Sequence, residues 1–241
     1  MRPDTLFDLA SLTKVVATTP AVLRLVEEGA FSLDAPVADL LPEFADRLVT
    51  VRHLLTHTSG LPAWRPLYLD CRGLPEYLRA IGGLPLERAP GERVVYSDLG
   101  FILLGAIVER VTGRSLPDYC RTAVFEPLGM ADAGWLPRAP RERIAATEAG
   151  NRTEMDMAGE RAAEFGRWRQ GILWGEVNDG NAHYGLGGVA GHAGLFGTAA
   201  DLISCALAWL CRGEPILSPP TVQLATRNLT PGLGEARGLG W

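Results

Sequence analysis

The sequence predicts one mainly helical domain that spans residues 1–241. Apolar residues recur with helical periodicity along most of the chain, and capping residues and glycines mark where these segments begin and end. The expected caps of three of these segments are Thr50, Ser97 or Asp98, and Thr198. Only one short segment, Arg93–Tyr96, has an extended pattern. No repeat, low-complexity tract or linker divides the chain, and its length is ample for a hydrophobic core.

Seven segments are predicted to be helical. Pro20 lies inside the first of them and should kink or interrupt it, at a cost of ~3 kcal/mol if the strain is unrelieved. The segment Leu99–Val111 is apolar on nearly all sides and should be deeply buried. The predicted helices are Val15–Gly29, Val51–His57, Pro75–Ile81, Leu99–Val111, Leu116–Phe125, Thr198–Cys211 and Ser218–Thr226.

The periodicity fades between Gly134 and Gly188, where we expect a long irregular segment. Such segments are usually functional or mobile. We interpret its four large aromatic side chains as anchors that pin the segment to the rest of the protein. They are Trp135, Phe165, Trp168 and Trp174.

Composition excludes several classes of function. The chain is 47% hydrophobic and has a net charge of -5, without a block of Lys and Arg, which argues against nucleic-acid binding. The longest apolar runs, such as Phe101–Val108, are too short to span a bilayer. No basic and apolar leader follows Met1, so a cytoplasmic location is expected. The cysteines lack paired spacing, and buried reduced thiols are expected for Cys120 and Cys205.

Ser11 and Lys14 are three residues apart at the start of the first predicted helix, so their side chains share one helical face. A neighbouring unprotonated lysine can take the proton from a serine hydroxyl and make it nucleophilic. The unpaired N–H groups of a first helical turn also help to hold an oxyanion. A Ser–Lys pair at this spacing is common in helices, however, so the case for a catalytic role depends on what the rest of the chain supplies.

Tyr96, Ser97 and Asp98 lie between the extended segment and the buried helix, a rigid position from which to direct side chains. A tyrosinate needs nearby positive charge near neutral pH, because the unperturbed pKa of tyrosine is about 10. Lys14 could supply that charge, and a Lys–Tyr pair beside Ser11 would then form a shared base. His53 and His57 share a helix face, but packing or capping is favoured over metal binding because no acidic residue lies between them.

Several ordered segments resemble one known family. The sequence is similar to the serine β-lactamase-related superfamily, which includes class C β-lactamases, low-molecular-mass penicillin-binding proteins, D-aminopeptidases and family VIII esterases. The resemblance covers nearly the whole chain. The segments that carry it are Leu9–Lys14, Val26–Gly29, His53–Pro62, Pro90–Gly91, Tyr96–Gly100 and Gly191–Phe196.

The resemblance implies acyl transfer through a serine ester, without a cofactor. It assigns Ser11 as the nucleophile, Lys14 as its base partner and Tyr96 as the residue that shuttles protons to and from the leaving group. Asp98 stands where many members have Asn, and its carboxylate would favour the protonated amine of Lys14. The base is therefore either Lys14 or Tyr96.

Family members have further strands before the Ser-x-x-Lys segment and a third motif, Lys-Thr-Gly or His-x-Gly, beyond the Gly-Leu-Gly-Trp region. The surroundings of His192-Ala193-Gly194 match an earlier family segment, so we do not assign it to the third motif. We therefore expect the helical part of the β-lactamase/DD-peptidase-like fold with little of its central antiparallel sheet. The uncovered face would invite a homodimer. Efficient β-lactam turnover is not expected, because losing an oxyanion donor typically costs ~10²–10³ in rate.

The leading functional prediction is a serine hydrolase that acts on small ester or amide substrates. A second hypothesis is a hydrolase dependent on a divalent metal such as zinc, which would activate water against carboxyl or phosphate esters. Its candidate ligands are His57, His183, His192, Asp98 and Asp179. A third hypothesis is an inactive remnant that only binds cell-wall peptides or a partner chain.

Overall fold

Helices supply most of the regular structure of the protein. In a computed structural model that describes residues 1–241, 44% of the residues are helical and 7% are in strands, which confirms the mainly helical prediction. The α-helices are α1 (Thr19–Glu27), α2 (Val37–Leu40), α3 (Val51–Leu55), α4 (Gly73–Gly82), α5 (Asp98–Thr112), α6 (Leu116–Cys120), α7 (Arg152–Ala158), α8 (Ala199–Leu210) and α9 (Pro219–Thr226).

The first predicted helix is interrupted as expected, but by a wider turn and not by a kink. Lys14–Thr18 forms a π-helical segment that leads directly into α1. Pro20 then lies at the first turn of α1, where its missing N–H removes no intrahelical bond. The π-helical segment therefore accommodates the proline and keeps the chain helical from Ser-x-x-Lys to Glu27.

Two other helix boundaries were predicted wrongly. α3 ends at Leu55, before the predicted limit of His57, because His57 adopts a left-handed backbone conformation with φ of 57°. The segment predicted as one helix after Ser115 is α-helical only to Cys120, and Arg121–Phe125 continues it as a π-helical turn.

The strands are few and short. They are β1 (Phe7–Asp8), β2 (Gly134–Trp135), β3 (Ala146–Ala149), β4 (Ile172–Trp174) and β5 (Leu195–Gly197). β5 lies between β1 and β2 in an antiparallel three-stranded sheet, and β3 pairs with β4 in a separate antiparallel pair. The predicted extended segment Arg93–Tyr96 belongs to neither sheet.

The segment from Gly134 to Gly188 is more regular than predicted. It contains β2, β3, α7, a 3-10 helix at Gly159–Glu164 and β4. Phe165 and Trp168 pack edge-to-face at 4.9 Å, and both contact the rings of Tyr68 and Tyr184. This cluster confirms that aromatic side chains anchor the segment. Hydrophobic periodicity did not reveal these helices and strands because they are short and half-exposed.

A core of 45 buried apolar residues surrounds α5, whose residues from Leu99 to Val108 are all buried, as predicted. Ser97 caps this helix by accepting from the Gly100 N–H, and Gly113 ends it with φ of 65°. No helix combines the length and apolarity that a bilayer crossing requires.

The predicted helix caps and cysteine environments also agree with the structure. Thr50 and His53 form a reciprocal capping box on α3, which confirms the capping role favoured for His53. Thr198 and Asp201 do the same for α8. Cys120 and Cys205 are buried free thiols.

The outer face of α8 is apolar. Ile203, Leu207 and Leu210 lie on it and are 59%, 52% and 80% exposed. Their spacing places them along one side of the helix. A homodimer through uncovered apolar surface stays a prediction.

Candidate active site

Ser11 lies at the start of the first helical turn, directly after a strained residue. Ala10 adopts φ of 45°, a left-handed conformation that is costly for a residue with a side chain. Asp8 holds this bend, because its carboxylate accepts from the Ala10 N–H at 2.9 Å and from the Asn178 N–H at 2.7 Å. The sharp turn leaves Ser11 exposed to solvent.

Lys14 is buried behind Ser11, with only 2% of its side chain exposed. Its Nζ lies 2.9 Å from Ser11 Oγ, 3.1 Å from the carbonyl oxygen of His192 and 2.7 Å from Asp98 Oδ1. An ammonium group has three N–H donors and no acceptor. Nζ donates to the first two oxygens and forms an ion pair with the third, and these contacts fix its position beside the serine hydroxyl.

The chain from Gly191 to Leu195, which leads into β5, forms two further hydrogen bonds with the helix that begins at Ser11. Thr18 Oγ1 donates to the Gly191 carbonyl at 2.6 Å, and the Leu195 N–H donates to Thr13 Oγ1 at 3.1 Å. Both threonines are fully buried. Sequence analysis missed them, although two threonines among apolar residues of a buried helix are a signal that polar partners pack there.

Gly191 allows this segment to approach the helices closely. A Cβ at this position would overlap the carbonyl oxygen of Phe101 and press on Gly105 in α5. Gly191→Ala should therefore destabilise the fold by about 1–3 kcal/mol through overpacking and displace the carbonyl that holds Lys14, which lowers activity. Urea unfolding and ester turnover measure both effects.

The control for that variant is Gly166→Ala, because a Cβ at Gly166 meets nothing within 4 Å. It should leave stability and turnover close to wild type. If Gly191→Ala and Gly166→Ala changed stability equally, close packing at Gly191 would be contradicted.

Tyr96 stands beside Lys14 and is 39% exposed. Lys14 Nζ lies 4.8 Å from the centre of its ring, and the imidazole of His57 stacks on it at 4.4 Å between ring centres. The guanidinium of Arg237 lies 5.6 Å from the same ring. Sequence analysis did not identify Arg237, because the contact joins segments 141 residues apart (237 minus 96).

The backbone around Tyr96 is held by the chain that follows α3. The Val95 N–H donates to the His57 carbonyl at 2.8 Å, and Ser97 Oγ donates to the Pro62 carbonyl at 2.7 Å. The Asp98 N–H donates to the Ala63 carbonyl at 2.9 Å. These bonds hold the segment that places the Asp98 carboxylate 2.7 Å from Lys14 Nζ.

His57 is a neutral structural residue in this arrangement. Its Nδ1 accepts from the Ser97 N–H at 3.0 Å, so the ring must remain unprotonated at that nitrogen. Burial, with Arg237 and Lys14 nearby, lowers the pKa of His57 to about 3. His57 thus orients Tyr96 and Ser97 and cannot carry a proton near neutral pH.

This depressed pKa predicts acid sensitivity. His57 takes up a proton near pH 6.5 in the unfolded chain but only near pH 3 in the folded protein. Its contribution to stability is therefore complete above pH 6.5 and is lost progressively as the pH falls from 6.5 to 3. The loss is about 1.4 kcal/mol per pH unit. His57→Asn keeps a residue that tolerates positive φ and an acceptor for Ser97, but it does not titrate.

Urea unfolding at pH 7 and pH 5 measures the difference. Wild type should lose about 2 kcal/mol more than His57→Asn between the two values. Parallel losses in both proteins would show that His57 is not the acid-sensitive group.

The predicted metal ligands do not gather into a metal site. Asp179 Oδ1 lies 2.9 Å from Nε2 of buried His192, whereas His57 faces Ser97 and His183 packs its ring at 4.7 Å from that of Tyr184. No cluster of three or more His, Cys, Asp or Glu side chains has metal-binding geometry. These residues do not fit the metal-dependent alternative.

Comparisons with known proteins show the family to which the chain belongs. A family model described as Beta-lactamase matches residues 1–241. The chain is 38% identical over 276 aligned residues to "Esterase EstB" of Burkholderia gladioli, which covers 100% of this chain and 66% of that protein. It is 36% identical over 219 residues to a "Putative D-alanyl-D-alanine carboxypeptidase" of Escherichia coli (strain K12), covering 82% of this chain and 49% of that protein.

Solved structures show the same relationship. A penicillin-binding protein from Bacillus halodurans superposes with a TM-score of 0.72 at 28% identity, covering 99% of this chain and 70% of that one. "EstCE1, a hydrolase with promiscuous acyltransferase activity" also has a TM-score of 0.72, at 26% identity, covering 100% of this chain and 69% of that one. The chain spans about half to two thirds of the length of the curated relatives it matches. Since the family model covers every residue, the chain belongs to the Beta-lactamase family.

Proposed function

We propose that the protein is a serine hydrolase that cleaves small ester or amide substrates through an acyl-enzyme on Ser11. The observation that carries this proposal is the exposed Ser11 hydroxyl 2.9 Å from the Nζ of a buried lysine. Lys14 is itself paired with Asp98 at 2.7 Å. A nucleophile that contacts a buried, oriented cation is the arrangement expected for covalent catalysis.

The backbone of the same turn supplies an oxyanion donor. The N–H groups of Leu12, Thr13 and Lys14 bond to carbonyl oxygens, and that of Ala10 bonds to Asp8. The Ser11 N–H donates to no protein group. It is therefore free to donate to the negatively charged oxygen that forms when Ser11 Oγ attacks a substrate carbonyl.

We assign Tyr96 as the proton acceptor. Lys14 donates to Ser11 Oγ and to the His192 carbonyl and forms an ion pair with Asp98, so Lys14 is suited to act as a fixed positive charge. In the acylation step, Ser11 Oγ bonds to the carbonyl carbon, the carbonyl oxygen becomes the oxyanion, and the hydroxyl proton of Ser11 passes to Tyr96, which acts as the phenolate beside the positive charge of Lys14. Tyr96 then returns the proton to the leaving alkoxide or amine as the C–O or C–N bond breaks. Water deacylates Ser11 by the same sequence in reverse.

Esters are the proposed preferred substrates. Ser11, Leu12 and Tyr96 are all exposed, so the site is open and accessible to small activated esters. The similarity to an esterase over the whole chain supports this choice, whereas the similarity to a carboxypeptidase supports amide cleavage as a second activity. Efficient β-lactam hydrolysis is not part of the proposal.

A substrate panel tests the proposal. Wild type is assayed with p-nitrophenyl butyrate, a peptide ending in D-alanyl-D-alanine and a chromogenic β-lactam, each with and without a strong chelator. We expect the ester to be hydrolysed fastest and the chelator to have no effect. Loss of turnover in chelator would favour the metal-dependent alternative, and absence of turnover on every substrate would favour the binding remnant.

A further inference from the structure

A buried pair of side chains, His192 and Asp179, is linked to Lys14 through the His192 backbone. The backbone carbonyl of His192 accepts from Lys14 Nζ at 3.1 Å, and the ring of the same residue lies 2.9 Å from Asp179. His192 is 1% exposed and the Asp179 side chain 19% exposed. Thus one residue contacts the catalytic lysine through its backbone and a carboxylate through its side chain.

Asp179 is the only protein partner of the His192 ring. Nδ1 of His192 is buried without a hydrogen-bond partner, so the bond from Nε2 to Asp179 is the single polar restraint on the ring. Asp179 is itself held in place, because its Oδ1 accepts from the Ala182 N–H at 2.7 Å. The carboxylate therefore sets where the imidazole lies.

A second carboxyl group faces this pair from α7. Glu154 is 7% exposed and packs against the backbone at Gly180, so closely that a Cβ there would overlap its carboxyl group. Burial and the charge of Asp179 raise the pKa of Glu154 to about 7. Glu154 is thus a second acid beside His192 that gains its charge only near neutral pH.

The charges around the pair favour a protonated ring. Burial and the positive charge of Lys14 lower the pKa of His192. The negative charges of Asp179 and Asp98 outweigh both and hold this pKa above its ordinary value of 6.5. Burial raises the pKa of Asp179, but His192 and Lys14 hold it below 3.8.

Further groups lie on the other elements packed around Asp179. Tyr68 and Tyr77 remain neutral, because burial raises their pKa values far above 10. Asp8 adds negative charge from β1. None of these groups opposes an imidazolium beside Asp179.

We propose that Asp179 is a positioning residue for the acylation step: it anchors the His192 ring and so keeps the His192 carbonyl on Lys14. This inference rests on the proposed function, because positioning Lys14 matters for turnover only if Ser11 and Lys14 do the chemistry. The catalytic groups themselves stay Ser11, Lys14 and Tyr96.

The first test is a titration that does not depend on activity. The ring signals of ¹³C-labelled histidines are followed by NMR against pH in wild type, Asp179→Asn, Asp179→Ala and Glu154→Gln. His192 should titrate above 6.5 in wild type, should fall to or below that value in both Asp179 variants, and should fall less in Glu154→Gln. Identical titration of His192 in wild type and both Asp179 variants would overturn the proposal.

The second test is turnover of p-nitrophenyl butyrate. Asp179→Ala should lower kcat about 10-fold to 10²-fold with little change in KM, because a displaced catalytic group costs rate more than binding. Asp179→Asn, which can still accept from Nε2 of a neutral ring, should lose less. Glu176→Gln is the matched control, because Glu176 belongs to the same segment but is 54% exposed.

The two proposals fail in different ways. If Ser11→Ala keeps wild-type turnover, the serine mechanism is wrong while the His192 titration stands on its own. If turnover depends on Ser11 but both Asp179 variants keep wild-type kcat, the positioning role is wrong and the serine mechanism survives.

Discussion

Replacing Ser11 by alanine should lower kcat/KM for p-nitrophenyl butyrate by about 10³-fold or more, because no acyl-enzyme can form without the hydroxyl oxygen. The change should not disturb the fold. Ser11 is exposed, and the bond from the Ala10 N–H to Asp8 that holds the turn is unchanged. Lys14 loses one acceptor, but its contacts with Asp98 and His192 remain.

The control for Ser11→Ala removes an exposed hydroxyl elsewhere. Ser32→Ala should leave kcat/KM unchanged, and both variants should unfold within about 0.5 kcal/mol of wild type. If Ser11→Ala hydrolyses the ester as fast as Ser32→Ala, Ser11 is not the nucleophile.

Replacing Lys14 by methionine should affect both activity and stability. Met keeps most of the buried hydrocarbon but removes the cation, so we expect turnover to fall by about 10²- to 10⁴-fold. It also leaves Asp98 and the His192 carbonyl without their partner in a site where Lys14 was 2% exposed. Removing one partner of a buried ion pair lowers the free energy of unfolding by about 3 kcal/mol.

A double variant separates these two effects. Lys14→Met with Asp98→Asn removes the unpaired charge and should recover much of the lost stability without recovering turnover. Arg47→Met is the matched control, because Arg47 pairs with Asp39 at 2.8 Å on the surface, where such pairs contribute about 1 kcal/mol or less. Recovery of turnover in the double variant would show that Lys14 acts through stability alone.

The sequence was most informative where local chemistry decides the structure. The caps at Thr50 and Thr198 were predicted, and Ser97 was predicted as an alternative to Asp98, because side-chain acceptors at a helix start satisfy the same backbone donors in any fold. Burial of α5 also follows from its composition alone. Pairing of Ser11 with Lys14 follows from helix geometry, since three residues separate them.

The errors arose where distant segments meet. The ion pair of His192 with Asp179, the buried Glu154 and the contact of Arg237 with Tyr96 join parts of the chain that no periodicity relates. Asp179 and His192 were predicted only as metal ligands, and they instead pair with each other. The left-handed backbone at His57 was also missed, because hydrophobic periodicity carries no information about a single positive φ.

The central claim is that Ser11 is the residue that becomes acylated, and covalent labelling tests it most directly. Wild type and Ser11→Ala are incubated with a fluorophosphonate, and intact mass and peptide mapping locate the adduct. We predict one adduct per wild-type chain, on Ser11, and none on Ser11→Ala. An adduct on another residue, or equal labelling of Ser11→Ala, would contradict the account.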